Sequence, residues 1–275
     1  MVNISYKNLI QIHNKAMVDC SNKYKFDQCL NAILTKFYSN LGVYNTLYWQ
    51  LNHYNEARII VRSAIESVLL FSFLITHPDK IQEYDEESLM LEFKNSFIEI
   101  KELKTELSNI LLEKSQLEIY QEDYITYNKE MFKLLSVTKQ KDILKTLGID
   151  EYILNDDTFN KLDKYLKDFR PEFQKFNKFF TLKEDFPNLP IDLKEFLFGH
   201  YNIYSQITHG ALYKSLDKTT TRDNLNDFSL FKRLLYTVII ICDYIKMPIS
   251  NNYRQLFSKE VENLNRKINS IICTQ

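Results

Sequence analysis

Two arginines and a glutamate recur at every fourth position within an otherwise apolar stretch that runs from Arg58 to Phe73. In a helix, this spacing places Arg58, Arg62 and Glu66 above one another on a single face. A carboxylate in such apolar surroundings is expected to be paired. An arginine within ion-pair reach keeps the glutamate ionised, which suits ligand orientation better than general acid catalysis. Two interpretations remain: a polar pocket lined by the pair, or a structural ion pair that fixes helix register.

A second set of polar side chains follows much later in the chain. Tyr201, Ser205 and His209 are also four residues apart, with Tyr204 and His200 close by. A histidine one helical turn from a hydroxyl can act as a general base. The same pair can equally be a structural hydrogen bond inside a helical bundle. We therefore predict Arg62, Glu66, Ser205 and His209 as candidate catalytic residues, and Arg58, Tyr201 and Tyr204 as candidate ligand-binding residues.

Other site chemistries lack their sequence signatures. The patterns His-x-x-x-His, His-Glu-x-x-His and Cys-x-x-Cys are absent, and four scattered glycines cannot form a phosphate loop. We predict neither a metal nor a cofactor. The four cysteines are expected to be reduced thiols in a cytoplasmic protein; they are Cys20, Cys29, Cys242 and Cys273.

Charge and hydropathy exclude further classes of function. The net charge of −1 over 275 residues does not steer the chain towards nucleic acid or an anionic membrane. A local exception is 161–178, where basic and aromatic residues interleave around Arg170. The apolar runs at 68–75 and 237–242 are shorter than the roughly 20 residues of a membrane span. We predict no membrane partner and no signal peptide.

The spacing of apolar residues predicts an all-helical protein. Only 4 Gly and 5 Pro occur, which favours long helices, and no stretch alternates with period two. Asp27 is a candidate cap, and Gly42 a candidate for close helix packing. We also expect Asp192 to cap a helix, and 214–226 to be a loop. The predicted helices are 6–22, 27–50, 54–76, 192–209, 228–246 and 254–272.

The middle of the chain has a different pattern. Dense charges accompany a single apolar stripe, which is typical of an amphipathic helix or helical pair. We predict one domain, 1–275, whose core helices at about 26–77 and 191–246 pack together, with about 79–182 as an inserted amphipathic arm. The stripe is a plausible dimer surface, so we predict a homo-oligomer. Its residues are Phe93, Phe97, Ile100, Leu103, Leu107, Leu111 and Leu117.

Two motifs carry a resemblance to known helical domains. Arg-Ser-Ala-Ile-Glu-Ser at 62–67, followed by His-Pro-Asp at 77–79, and Tyr-x-x-Tyr-Ser-x-x-x-His at 201–209 resemble an uncharacterised family of bacterial helical domains. The resemblance covers about 26–245. It implies a helical fold with a polar cluster of Arg62, Glu66, Ser205 and His209.

The chain also resembles, more distantly, the HEPN-type domains of defence and toxin systems, many of which are ribonucleases. Their usual signature is an arginine followed by four to six residues and a histidine. No arginine of this chain is followed by a histidine at that spacing. A catalytic pair would therefore have to combine Arg62 and His209 from different helices.

Two functional hypotheses follow. The first is a regulatory protein of a bacterial or phage conflict system, which binds a partner or a ligand such as RNA or a nucleotide through the polar cluster. The second is a metal-independent ribonuclease. In the second, His209 acts as general base, Arg62 stabilises phosphorane charge and Glu66 orients the arginine.

Overall fold

The computed structural model describes residues 5–51, 53–105, 112–171, 190–208 and 221–272. These residues form ten helices and no strand, which confirms the all-α prediction. The helices are α1 Lys7–Tyr24, α2 Gln28–Trp49, α3 Tyr54–Thr76, α4 Asp79–Leu103, α5 Lys114–Leu134, α6 Val137–Leu147, α7 Asp156–Asp168, α8 Ile191–Thr208, α9 Thr221–Tyr244 and α10 Asn251–Ile272.

The chain divides into two compact units. The first contains α1, α2, α3, α8, α9 and α10, and the second, Asp79–Phe176, contains α4 to α7. We call them the first unit and the second unit. The prediction of one domain with an insertion at about 79–182 stays a prediction.

Local signals set several helix ends. The Asp27 side chain accepts a hydrogen bond from the backbone N–H of Cys29, so Asp27 caps α2 as predicted. Gly148 follows α6 with a φ of 71°, a left-handed conformation that favours glycine. The Asn155 side chain caps α7 by accepting from the N–H of Thr158.

Two helix starts differ from the sequence-based expectation. α9 begins at Thr221, so the predicted loop at 214–226 is wrong over its last six residues. The polar residues at 221–226 lack the regular spacing of apolar residues that predicts a helix. They are nevertheless helical, because they extend the N-terminal end of α9. α8 begins at Ile191, so Asp192 lies in its first turn rather than at the cap. A carboxylate in that turn still interacts favourably with the helix dipole.

The first unit is built around α3, which packs against both α2 and α8. Its centre is aromatic. Tyr6 and Phe231 lie with ring centroids 4.5 Å apart, and Tyr44 and Tyr48 with centroids 5.3 Å apart. All four side chains are at most 1% exposed. The aromatic rings bury a large apolar area at this centre. The tyrosine hydroxyls buried with them need hydrogen-bond partners.

α3 also has the length and composition of a membrane span. Among the described residues, Glu56–Thr76 is the one helical segment that meets both criteria. The helix continues past Arg62 and Glu66, so it is longer than the apolar run at 68–75, and the absence of a membrane partner stays a prediction. Many apolar side chains of this segment are buried inside the first unit, including Ile65, Leu69 and Phe71.

The second unit buries the apolar stripe predicted for the middle of the chain. Phe93, Phe97 and Ile100 of α4 are at most 1% exposed, and Phe93 and Phe97 contribute to a core made by α4 to α7. These three positions are therefore covered within the chain, and they are not free to form a dimer surface. The predicted stripe residues Leu107 and Leu111 lie outside the described residues.

A buried amide links the two longest helices of the second unit. Asn128 of α5 is fully buried. Its Nδ2 donates to the carbonyl of Phe93 (3.1 Å) and to the hydroxyl of Ser96 (2.7 Å). Its Oδ1 accepts from the Tyr152 hydroxyl at 2.5 Å. The amide group is thus satisfied on both sides, as buried polar groups usually are.

Gly42 offers a direct test of helix packing. The sequence predicted close packing there, but a Cβ added to Gly42 would have no atom within 4 Å, so that prediction is wrong. We expect Gly42→Ala to raise the unfolding free energy of the first unit by about 0.5–1 kcal/mol, because alanine restricts the unfolded chain and favours the helix. Denaturant unfolding followed by tryptophan fluorescence measures this, since the one tryptophan, Trp49, lies in the same helix.

Gly148→Ala is the matched control for this substitution. With a φ of 71°, alanine is strained at this position. We expect the second unit to lose about 1–2 kcal/mol. If Gly42→Ala destabilised the first unit by a similar amount, this would contradict the open space that the structure shows around Gly42.

Candidate functional site

Arg62 of α3 lies between a carboxylate of its own helix and a tyrosine of α8. Its Nε donates to Glu66 Oε1 at 3.2 Å, and one Nη donates to the Tyr201 hydroxyl at 3.3 Å. The guanidinium carbon is 5.2 Å from the centre of the Tyr201 ring. The Arg62 and Glu66 side chains are 23% and 26% exposed. We call Arg62, Glu66 and Tyr201 the Arg62 cluster; both of its charged side chains are partly exposed to solvent.

Arg58 lies one turn away but has a different partner. Its Nη2 is 3.5 Å from Oδ2 of Asp227 in α9. Oδ1 of the same carboxylate accepts from the Tyr204 hydroxyl at 3.1 Å, and the Tyr48 hydroxyl is hydrogen bonded to it as well. We call these four residues the Asp227 centre. Arg58 and Asp227 are 5% and 4% exposed, so the buried carboxylate of the first unit is Asp227 and not Glu66.

Burial dominates the electrostatics of the Asp227 centre. It raises the pKa of the Asp227 carboxyl more than Arg58 and the two tyrosine hydroxyls lower it. Burial and the Asp227 charge together raise the pKa of Tyr48 far above its ordinary value. Tyr48 therefore stays a neutral donor. A centre of this kind fixes helix positions and has no exposed surface to offer a ligand.

The register of α3 against α8 decides which predicted residues meet. Tyr201 contacts Arg62, while Tyr204 shares Asp227 with Arg58, so the two helices run antiparallel. Ser205 continues away from Glu66, and a rise of 1.5 Å per residue separates their levels by about 12 Å along the axis. The structure thus brings Arg62 to Glu66 and Tyr201, but it does not bring Ser205 to Glu66.

Of the predicted site residues, His209 lies outside the described residues. Its proposed role as general base stays a prediction. The nearby His200 is bound within its own helix. Its Nδ1 lies 2.9 Å from the Phe196 carbonyl, which can only accept, so Nδ1 carries the proton. Burial lowers the pKa of His200, which keeps the imidazole neutral.

Sequence reasoning missed a second buried histidine. His13 of α1 is 1% exposed. Its Nε2 lies 2.9 Å from the Leu235 carbonyl and its Nδ1 2.6 Å from the Tyr38 hydroxyl. The neutral ring satisfies both contacts, because Nε2–H donates to the carbonyl while Nδ1 accepts from the hydroxyl. Burial lowers the pKa of His13 to about 4.

The basic segment predicted as a local nucleic-acid contact is mostly engaged within the second unit. Lys161 donates to the Leu147 carbonyl at 3.0 Å, and Lys167 pairs with Asp163 at 2.7 Å. Arg170 donates to the carbonyl of Lys167. Residues 172–178 of this segment lie outside the described residues. Nucleic-acid contact through this segment stays a prediction.

A metal centre made of imidazole, thiolate and carboxylate is not found in the described part of the chain, where no three His, Cys, Asp or Glu side chains gather. No protein-family model matches the chain, and neither a curated protein nor a solved structure matches it. The functional proposal therefore depends on the geometry of the Arg62 cluster.

Proposed function

We propose that this helical protein is a regulatory protein that binds a nucleotide-like ligand, free or within RNA, through the Arg62 cluster. The observation that carries the proposal is the partly exposed Arg62 side chain, whose guanidinium is held by Glu66 at 3.2 Å and by Tyr201 at 3.3 Å. An arginine already fixed in place loses little conformational entropy when it binds a phosphate.

The neighbouring carboxylate favours a nucleotide over a simple anion. A nucleotide carries hydroxyl and amino donors beside its phosphate, so Glu66 can accept from a donor while Arg62 binds a phosphate oxygen. A ligand with negative charge alone would be repelled by Glu66. The half-buried position of both side chains strengthens these contacts relative to a fully solvated pair.

Binding without catalysis is favoured by the other titratable groups of the described site. Asp227 is 4% exposed, and His200 is bound to the Phe196 carbonyl. General acid–base catalysis needs a group that reaches the proton it transfers. The resemblance to HEPN-type domains supports a setting in a bacterial or phage conflict system, with the protein acting in the cytoplasm as a homo-oligomer.

Arg62→Ala tests the proposal directly. We expect the affinity for a fluorescently labelled uridine decamer or for ATP to fall by at least about tenfold, since a charged hydrogen bond contributes about 1.5–3 kcal/mol. Stability should change little, because a half-exposed ion pair contributes at most about 1 kcal/mol. Fluorescence anisotropy measures the first quantity, and denaturant unfolding measures the second.

Two controls sharpen this measurement. Arg62→Lys keeps the charge but loses the planar guanidinium, which can donate two parallel hydrogen bonds to a phosphate. This variant should therefore bind with intermediate affinity. Arg254→Ala removes a guanidinium of the same unit that forms an ion pair with Asp243, and it should bind as the unchanged protein does. Failure of the unchanged protein to bind either probe would contradict the proposal, as would equal binding by Arg62→Ala.

The second candidate is the metal-independent ribonuclease. The observation in its favour is the hydrogen bond that Arg62 donates to Glu66, which gives the guanidinium the orientation that phosphorane stabilisation needs. RNA cleavage in the presence of EDTA separates the two candidates. Cleavage that is lost in both His209→Ala and Arg62→Ala, with unfolding unchanged, would establish the ribonuclease. Binding without cleavage would establish the regulatory protein.

A further inference from the structure

Three sulfur side chains meet where α1 packs beside α9, away from the Arg62 cluster and the Asp227 centre. Met17 and Cys20 are three residues apart and share one face of α1. Cys242 of α9 lies opposite them, with its Sγ 4.0 Å from Met17 Sδ. The thiols of Cys20 and Cys242 lie close enough to interact with each other. All three side chains are at most 4% exposed, and the two cysteines are not in a disulfide.

We propose that Met17, Cys20 and Cys242 form a binding site for a monovalent copper ion. Thiolate and thioether sulfur are the soft ligands that select Cu(I), whereas zinc prefers four nitrogen, sulfur or carboxylate ligands. A metal–sulfur bond of about 2.3 Å places the three sulfurs of a planar trigonal site about 4 Å apart. The separation of Met17 Sδ and Cys242 Sγ already has this value, so these two ligands need little rearrangement.

The charge of the loaded site follows from its ligands. Binding of Cu(I) releases the two thiol protons, and two thiolates with one monovalent cation leave a net charge of −1. Lys23 lies near Cys20 and Arg254 near Cys242, and the Asp243 carboxylate lies near both thiols. The two cations therefore offset only part of the negative charge, because Asp243 acts against them.

The neighbouring main chain suggests where the ion enters. The Cys20 thiol donates to the Met247 carbonyl at 3.4 Å. Met247 belongs to the short connection between α9 and α10 and is partly exposed. When Cu(I) replaces the Cys20 proton, the proton passes to solvent and this hydrogen bond is lost, so the connection is less tightly held once the ion is bound.

Anaerobic titration of the full chain with Cu(I), in competition with the chelator bathocuproine disulfonate, tests the site. We expect the unchanged protein to retain one copper ion per chain. Cys20→Ser and Cys242→Ala should each lower the affinity by at least about 100-fold, and Met17→Leu by about tenfold. Cys29→Ser and Cys273→Ser are the controls and should retain the ion, because neither residue belongs to the proposed site.

Met17→Leu is the variant expected to fold even if the cysteine variants do not. It conserves side-chain volume in a buried position, and such exchanges usually cost less than about 1.5 kcal/mol. The proposal is overturned if the unchanged protein loses its copper to the chelator as readily as Cys20→Ser does. It is also overturned if the control variants lose the ion as readily as Cys20→Ser does. A disulfide between Cys20 and Cys242, formed under mild oxidation without any retention of Cu(I) by the reduced protein, would also overturn it.

Discussion

Replacing Arg58 with methionine lowers the unfolding free energy of the first unit by about 3–5 kcal/mol, the usual cost of breaking a buried ion pair. The stability is lost because the Asp227 carboxylate remains buried without its positively charged partner. Asp227 is 4% exposed, and without Arg58 the donors that it keeps among the described residues are the hydroxyls of Tyr48 and Tyr204. The carboxyl must then either stay charged in apolar surroundings or take up a proton. Denaturant unfolding followed by Trp49 fluorescence measures the loss.

Two further variants show whether the loss comes from the stranded charge. Arg58→Met combined with Asp227→Asn removes both charges and keeps an amide oxygen for Tyr48 and Tyr204, so it should recover more than half of the stability. Arg62→Met, one turn along the same helix, should cost at most about 1 kcal/mol because its ion pair is half-exposed. Equal losses for Arg58→Met and Arg62→Met would show that Asp227 is not the buried carboxylate described above.

Acidification from pH 6.5 to pH 4 removes about 3 kcal/mol of stability through His13, since each pKa unit corresponds to about 1.4 kcal/mol. The folded state holds the pKa of His13 at about 4, while an unfolded histidine titrates near 6.5. Between these values the unfolded chain binds more protons, so stability falls as the pH falls. Well above pH 6.5 both states are neutral at this residue, and its contribution is constant.

His13→Gln isolates this contribution. The glutamine amide can donate to the Leu235 carbonyl and accept from the Tyr38 hydroxyl, but it does not titrate. The raised pKa of Asp227 acts in the opposite direction, and it acts equally in both proteins. The difference between the two pH profiles therefore belongs to His13. Parallel profiles between pH 4 and pH 7 would contradict the buried neutral histidine.

The sequence predicted the helices well because their apolar periods are strong. The cap at Asp27, the helical end before Pro78 and the left-handed residue Gly148 are local effects, set by neighbours in the chain. The pairing of Arg62 with Glu66 is equally local, since four residues separate them on one helix. Such features need no knowledge of the rest of the fold.

The Asp227 centre was missed because its four residues come from four helices. Arg58 was assigned to the same face as Glu66, and nothing local indicates that it turns towards α9. A signal did exist at Asp227 itself. The buried positions Phe231, Leu234 and Val238 recur at three and four, and this period extends backwards to Asp227. A charged residue in register with an apolar face predicts a buried charge.

His13 shows the same signal in α1. It stands in the helical period of Leu9, Ala16, Met17 and Cys20, which are all buried. A polar residue at such a position must find hydrogen-bond partners inside the protein. The sequence indicates the need for these partners, but only the packing of α1 against α2 and α9 supplies Tyr38 and Leu235.

The buried amide of Asn128 also determines how the second unit avoids misfolded alternatives. Two long amphipathic helices can in principle slide past each other by one turn, about 5.4 Å, and still bury apolar surface. In this unit such a slip would strand the Asn128 amide N–H groups without their partners on α4, Phe93 and Ser96, at about 1–3 kcal/mol. Leucine at position 128 would remove that penalty, leaving α4 and α5 free to exchange between competing alignments.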